Sequence, residues 1–496
     1  MLRPSALLLV LCPSLASASD VTITDLLPGS AGSYPSYLTV HNGDLYFRAN
    51  GLSGGTDVEL CRYDGVTAER IADINPGPEG SSPADLTFFG ETLFFSAQGC
   101  YGCGTKLWQY DETTGVSLSP GSDQQAGNPQ EMTAYKGKLY FRAFRSNIGI
   151  ELWEFDGITQ RPIDIFPGTG SSYPQHFIEF DGKLYFNACG KSASPDGTEL
   201  FYFDGLQVRQ AANINPTDGS SPENFVIFGG DLYFSALADD KGRELWRFDR
   251  VQAVRVTDIF PGSESSNPSG MTVYDGAIYF SAEDGVHGYE LWRYDGNAAE
   301  LVANINQNPV LPDVDPIHHS WPSSFKVFDG ILYFSADDGV HGRELWRYDG
   351  ESVELVADIY PGQYGSEVQE LTVYQDSLYF AANDGQHGGE LGESPTSVFR
   401  LKRGVSYRRG DVNSDGESDV SDAVTILLYL FGGQAELVSC EKSADVDDSG
   451  ILDLSDTISL LGVLFLGEPP PPEPFAECGV DSTQDDLTCQ GHGGCN

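Results

Sequence analysis

Over most of the chain short apolar runs alternate in period two and then break at Gly, Asp and Asn. In Met271-Thr-Val-Tyr274 and again in Ile278-Tyr-Phe280, alternate residues face opposite sides of an extended chain, and the residues are β-branched or aromatic. Asp275-Gly276 between them has the chemistry of a two-residue hairpin turn, whose positive φ angles suit Asp and Gly. A second turn, Glu283-Asp-Gly-Val-His-Gly288, leads to Glu290-Leu-Trp-Arg-Tyr294, and a third, Asp295-Gly296, leads to Glu300-Leu-Val-Ala-Asn304. The pattern predicts an antiparallel meander of four strands, a to d.

That meander recurs. An LYF-like element stands at Leu45, Leu93, Leu139, Leu184, Leu232, Ile278, Leu332 and Leu378. An ELW-like element follows each, with its Leu at Leu60, Leu107, Leu152, Leu200, Leu245, Leu291, Leu345 and Leu391, at spacings of 45 to 54 residues. A sheet with two apolar faces needs a neighbour on each side, and a closed ring supplies both, so the expected fold is mainly β: an eight-bladed β-propeller. A stacked open solenoid is the alternative. The ends of the repeat region favour the ring. Val21-Thr-Ile-Thr24 has the form of a d strand without the strands before it, and the last unit runs out after Ser397-Val-Phe-Arg-Leu401. The N-terminal strand is therefore expected to complete the last blade.

Beyond the repeats the pattern changes to short polar loops followed by helical periodicity. Asp411-Val-Asn413-Ser-Asp415-Gly416-Glu417-Ser-Asp419-Val-Ser-Asp422 carries oxygen donors at loop positions 1, 3 and 5, Gly at 6 and a carboxylate at 12. From these positions, with a peptide carbonyl at 7, a short loop can surround Ca2+. The pattern returns in Asp445-Val-Asp447-Asp-Ser449-Gly450-Ile451-Leu-Asp453-Leu-Ser-Asp456, where Ser449 makes the second loop the weaker. After the first loop Val420, Val424, Leu427 and Phe431 form one helical stripe, and Leu454, Ile458, Leu461 and Phe465 repeat it 34 residues later. The two stripes are expected to bury against each other. The expected metal set is Asp411, Asn413, Asp415, Glu417, Asp419 and Asp422, with Asp445, Asp447, Ser449, Ile451, Asp453 and Asp456.

Two resemblances follow from these residues. The units, as in Glu290-Leu-Trp-Arg-Tyr-Asp-Gly296 and Glu344-Leu-Trp-Arg-Tyr-Asp-Gly350, resemble the ELWxxDGT repeat of secreted bacterial proteins, which implies export and a propeller scaffold but no catalytic residues. Lys106, Cys61 and Gly392 depart from that repeat. The duplicated loop and helix resemble a type I dockerin, in particular the form ending exported planctomycete proteins with a Pro-rich, Cys-containing tail such as Pro469-Pro-Pro-Pro-Glu-Pro474. That likeness implies calcium binding and a cohesin-like or other envelope partner. Val420-Ser421 and Leu454-Ser455 stand where a dockerin has its recognition pairs, a departure that bears on pairing with a cohesin and not on calcium.

The resulting organisation is a signal peptide over 1–18, a propeller over 19–404, a dockerin-like domain over 405–467 and a Pro/Cys-rich tail over 468–496. Arg3, the apolar run Ala6 to Leu11 and the small residues Ala16 and Ala18 give the form of an export signal cleaved after Ala18, and place the protein outside the cell or on its surface. No later stretch is long and apolar enough to be read as a transmembrane segment. Asp and Glu number 73 against 28 Lys and Arg, a net charge of -45 that repels phosphate backbones and argues against nucleic acid as partner. Outside Cys12, Cys100 and Cys103 can close locally; Cys440, Cys478, Cys489 and Cys495 are expected to staple the C-terminal region; Cys61 and Cys189 read as buried thiols.

Little of the rest points to catalysis. His287, His341 and His387 share one place in a repeated D-G-x-H-G loop, and Glu occupies the ELW position in all units but that of Lys106, so both read as scaffold. Gly51-Leu-Ser-Gly-Gly55 matches a nucleophile-elbow pattern without the following helix. Trp108, Trp153, Trp246, Trp292 and Trp346 recur at blade spacing and read as core. Two places break the symmetry: the Cys100-Tyr-Gly-Cys103 loop, and an insertion before Pro322 whose Asp313, Asp315, His318 and His319 could hold a metal or merely decorate the surface. The preferred function is non-enzymatic: a propeller presenting a glycan or protein ligand surface, docked through the calcium module. The rival is an extracellular polysaccharide-acting enzyme, a glycoside hydrolase or lyase, which requires paired carboxylates over a cleft.

Overall fold

In this computed structural model the described residues are 21–24, 33–50, 57–77, 79–100, 102–121, 126–190, 197–307, 319–385, 397–402, 407–433, 437–472, 474–475, 478, 487 and 489. The export signal, the Gly51 to Gly55 loop, Asp313, Asp315, His318, His387, Glu390 and Cys495 lie outside them. The chain divides into two compact units, Met1–Leu401 and Lys402–Asn496.

The first unit is built of eight four-stranded antiparallel sheets. Seven are meanders of consecutive strands, for example Ser323–Phe328, Ile331–Asp337, Arg343–Tyr348 and Val353–Ala357. The remaining sheet is composite: Gln369–Tyr374, Ser377–Ala382 and Ser397–Lys402 are completed by Val21–Thr24, which pairs antiparallel with the last of them from Val21 opposite Leu401 to Thr24 opposite Val398. The expectation of eight like units thus resolves into seven continuous blades and one discontinuous sheet. Each first strand touches the first strand of the next sheet, and Gln369–Tyr374 touches Ser36–His41, so the circuit closes and the open solenoid is excluded.

Period-two alternation drives this stacking. Leu332 and Phe334 are buried beside Tyr279 and Leu291 of the preceding blade, whereas Tyr333 between them packs with Leu345, Leu378 and Phe380 on the opposite side. The recurrent tryptophans are core: Trp108, Trp153, Trp246 and Trp346 each donate Nε1–H to an alanine carbonyl of the neighbouring strand at 3.0 to 3.1 Å.

Every innermost strand carries a bulge at the same register, and the residue there has left-handed backbone: Tyr37, Asp85, Glu131, His176, Asn224, Gly270, Ser324 and Glu370, with φ from 55° to 67°. Several of these side chains reach the next blade. Glu370 Oε2 accepts from Leu38 N at 3.3 Å, Glu131 Oε2 from His176 N at 3.1 Å and Asn224 Oδ1 from Gly270 N at 3.4 Å.

In six of the seven continuous blades the ELW glutamate is a clamp, Lys106 standing in its place in the seventh. Glu344, with no exposed surface, accepts from Ile359 N at 3.0 Å, Tyr360 N at 3.2 Å and Ser366 Oγ at 2.6 Å, tying its strand to the segment leading into the next blade. Glu151 and Glu199 bind the corresponding residues in the same way. Burial pushes Glu151, Glu290 and Glu344 up to about 7 against the pull of these donors.

The second unit has helices α1 (Val420–Gly432), α2 (Glu441–Ala444) and α3 (Leu454–Leu461) around a core of Val412, Ala423, Ile426, Val438, Ala444, Val446 and Leu460. The segment expected as a separate tail belongs to this unit. Arg409 N donates to the Pro474 carbonyl, Arg408 Nε donates to the Phe475 carbonyl at 3.0 Å, and Cys440 is bonded to Cys489. Cys478 is also disulfide-bonded, Cys100 closes on Cys103, and Cys61 and Cys189 are buried thiols. Among the described residues no helix is long and apolar enough to cross a membrane.

Candidate metal centre

The two acidic loops fold alike because each is wound around its first carboxylate. Asp411 Oδ1 accepts from Asp415 N and Oδ2 from Gly416 N, both at 3.0 Å; Asp445 accepts from Ser449 N at 3.0 Å and Gly450 N at 2.9 Å. The sharp reversal needs left-handed backbone at position 4, where Ser414 and Asp448 have φ of 62° and 59°, and at position 6, where glycine supplies it. The last carboxylate then closes the loop. Asp422 accepts from Val412 N, Asn413 N and Asp419 N, and Asp456 accepts from Val446 N, Asp447 N and Asp453 N.

Asp411, Asp422, Asp445 and Asp456 have no exposed surface. Burial raises the carboxyls of Asp422 and Asp445, and pushes Asp456 up to about 6. Carboxylates so placed are short of positive charge, and a divalent cation would relieve that shortage. In the second loop Asp445, Asp447 and Asp456 bring one oxygen each within 4.8 Å of the others. Asp447 Oδ1 is buried there with no partner among the described residues. The loop read as weaker is thus the one that gathers three carboxylates, because Asp447 stands where the first loop has Asn413.

Other members of the expected set behave differently. Asp419 and Asp453 spend Oδ1 on the backbone N–H of Ser421 and Ser455 as the N-caps of α1 and α3, at 2.7 Å in both cases. Both residues thus cap the helices that follow their loops, at the position where the sequence places them in the metal set. Asn413 donates Nδ2 to Asp415 Oδ2 at 3.0 Å and to Ser421 Oγ at 2.8 Å, and Ser449 donates to the Ile451 carbonyl at 3.3 Å. Ile451 can contribute only its carbonyl, and the Glu417 side chain is exposed, as are those of Asn413 and Asp415.

Two arginines without a place in the loop pattern hold the loops from outside. Arg408 donates Nη1–H to the Gly416 carbonyl at 2.6 Å, holding the first loop. Arg409, buried over the Tyr407 ring, donates to the Asp445 carbonyl and pairs with Asp448 at 2.8 Å, holding the second. Adjacent cations at the entrance to an acid-rich segment were the signal to follow.

The helix stripes are also corrected. Val420, Val424 and Phe431 are 52, 48 and 73% exposed, and Leu454, Ile458 and Phe465 are 47, 61 and 68% exposed. α1 and α3 meet instead through the neighbouring face, Ala423 and Ile426 with Leu460.

In the propeller, His287 and His341 hold their own turns, with Nδ1 at 2.8 and 2.7 Å from Asp284 and Asp338. A second acidic group, Asp57, Glu59 and Asp73, is already compensated: Arg70 lies 2.7 Å from Asp57 and 3.6 Å from Asp73, while Glu59 accepts from three backbone N–H groups and Ser81 Oγ. A cavity of about 390 Å³ is lined by innermost strands and includes Tyr37, Asp85 and Glu131. Asp85 there accepts from the Glu131 backbone and Glu131 from that of His176, so these carboxylates stitch blades together. His319 accepts from Tyr289 N at 3.0 Å and belongs to an aromatic cluster.

No family model and no curated protein matches the chain. Among solved structures it is similar to prolyl endopeptidases (12% identity over 71% of this chain and 54% of that one, TM-score 0.46) and to puromycin hydrolase (13% identity, 73% and 60%, TM-score 0.42). It is also similar to the β-propeller domain of the Trilobed protease from Pyrococcus furiosus (11% identity, 75% and 95%, TM-score 0.39). The chain spans about 60% of the length of the puromycin hydrolase.

Proposed function

We propose that this is an exported binding protein, a propeller whose composite sheet counts as its eighth blade, attached to an envelope or extracellular partner through a calcium-organised docking module. The observation that carries this reading is the pairing of two like acidic loops with two like helices that leave apolar side chains in water. Single exposed apolar residues are ordinary, but Val420, Val424 and Phe431 repeated by Leu454, Ile458 and Phe465 form matched faces of the kind a partner covers.

The loops fit calcium by donor chemistry: hard oxygens, a buried carboxylate oxygen without a partner among the described residues, and raised carboxyls. Asp411, Asn413, Asp415 and Asp422 with the Glu417 carbonyl would hold one ion, and Asp445, Asp447, Ser449 and Asp456 with the Ile451 carbonyl a second. The ion supplies charge compensation; the residues set the angle at which α1 and α3 leave their loops. The partner is an envelope or cohesin-like protein with an apolar surface, and the propeller carries the outward-facing ligand.

The test is recovery of a partner from the source envelope by the intact protein in calcium. Loss of recovery in EDTA and in the Asp411→Ala, Asp445→Ala double variant is the expected result. Equal recovery by wild type and the double variant would overturn calcium-dependent docking.

A further inference from the structure

Each blade is entered through a residue with left-handed backbone, and at seven of these eight places it precedes proline: Tyr34, Ser82, Asn128, Tyr173, Ser221, Asn267 and Trp321, with Glu367 the eighth. The fold imposes that backbone, which costs a non-glycine residue on the order of 1 kcal/mol. At one of these places it carries the largest side chain available. Trp321 lies on Tyr289, with ring centroids 4.1 Å apart and an interplanar angle of 17°, and is still 47% exposed. Tyr289 begins the strand Tyr289–Tyr294; the matching residues of the other continuous blades are Val58, Thr105, Ile150, Thr198, Arg243 and Arg343. Repeated residues serve the scaffold, and this stacked pair is not repeated.

The pair lines a cavity of about 370 Å³ together with two prolines and a set of polar side chains. Asn267 donates Nδ2 to the Tyr289 hydroxyl at 2.8 Å, Arg343 donates to the Trp321 carbonyl at 2.8 Å, and Glu223, Ser269, Ser281 and Ser323 also line the cavity. A flat aromatic face with donors and acceptors around its edge matches a ligand having C–H groups on one face and hydroxyls at its periphery. The net charge of -45 disfavours an anionic version.

We infer that the Tyr289 and Trp321 cavity is a binding subsite for a neutral saccharide, one pyranose ring stacking on Trp321. This rests on the propeller's being the ligand-presenting part of the proposed function, and adds to it a place and a ligand class.

The experiment is calorimetric titration of the intact protein with soluble cello-, xylo-, manno- and chito-oligosaccharides, in calcium and in EDTA, with Trp321→Ala and Trp321→Phe alongside and thermal unfolding as the check on folding. At least one series should bind. Trp321→Ala should weaken it by about tenfold or more and Trp321→Phe by less, at unchanged melting temperature. EDTA should leave saccharide binding intact, so failure of the docking test and failure here are separate results. Absence of binding to all four series, equal binding by Trp321→Ala, or displacement by a proline-rich peptide in preference to any saccharide would overturn the assignment.

Discussion

The hydroxyl of Tyr374 donates to the carbonyl of Gly43 across 2.8 Å, although 331 residues separate them in sequence. This bond lies at the seam where the last innermost strand meets the first. Away from the seam Tyr135 donates to the Gly182 carbonyl at 2.8 Å and Tyr274 to the Gly330 carbonyl at 2.9 Å. The closing contact is therefore made with the same chemistry as the contacts within the circuit.

Tyr374→Phe should cost about 1 kcal/mol, the usual worth of one such bond. Tyr274→Phe should cost the same within error. Denaturant unfolding of the two variants checks this, and a much smaller loss for Tyr374→Phe would show that the seam is open in solution.

The buried glutamates predict how stability depends on pH. Glu151, Glu290 and Glu344 titrate near 7 when folded and near 4.5 in an open chain, so the native state holds more protons between those values. Their contribution is complete below about pH 4.5 and is lost as pH rises through 7, by roughly 1–3 kcal/mol for each carboxyl. Turn aspartates such as Asp156, held down to about 2 by backbone N–H groups, act oppositely, and their stabilisation disappears as pH falls below about 4. The melting temperature should peak near pH 5 and decline toward pH 8, and Glu344→Gln should flatten the decline.

Exposed apolar side chains on α1, on α3 and in the turn of helix that follows α3 separate docking from folding. Phe431→Ser with Phe465→Ser should abolish partner recovery while changing stability by less than about 1 kcal/mol, since both side chains already stand in water. Loss of the calcium-dependent rise in melting temperature in this variant would show that the faces serve the loops.

Cys489→Ser should destabilise the second unit by about 2–4 kcal/mol, because the bond to Cys440 closes a segment of 49 residues. Thermal unfolding with and without reductant measures it, and a variant as stable as the oxidised protein would contradict the expectation.

The strands were legible because period-two alternation, Asp-Gly turns and the recurrence of a 45 to 54 residue unit agree with one another. The unpaired first and last strands likewise announced Val21–Thr24 opposite Ser397–Lys402. The helices were legible as helices, but not their orientation. Periodicity groups Val420 with Val424 and Phe431 without saying whether the group faces inward, and Ala423 and Thr457, which do, carry little hydrophobic signal. Position 12 held the missing information: Asp422 and Asp456 turn into their loops, and the residues one and four places on, Ala423 with Ile426 and Thr457 with Leu460, turn inward with them. Asp419 and Asp453 fit both a metal position and a helix cap, and their hydrogen bonds to Ser421 and Ser455 show the cap, which the loop pattern alone did not announce. Trp321 escaped notice because its place before proline recurs at seven of the eight blade entries; only its contact with Tyr289 distinguishes it.

The bulge in each innermost strand fixes where a side chain sits while leaving open which side chain it is: tyrosine, aspartate, glutamate, histidine, asparagine, glycine and serine all occupy it. Such a frame works like a set of sockets. New chemistry can be installed around the axis by exchanging single residues at those bulges whose side chains do not tie one blade to the next, with every strand and turn kept as it stands.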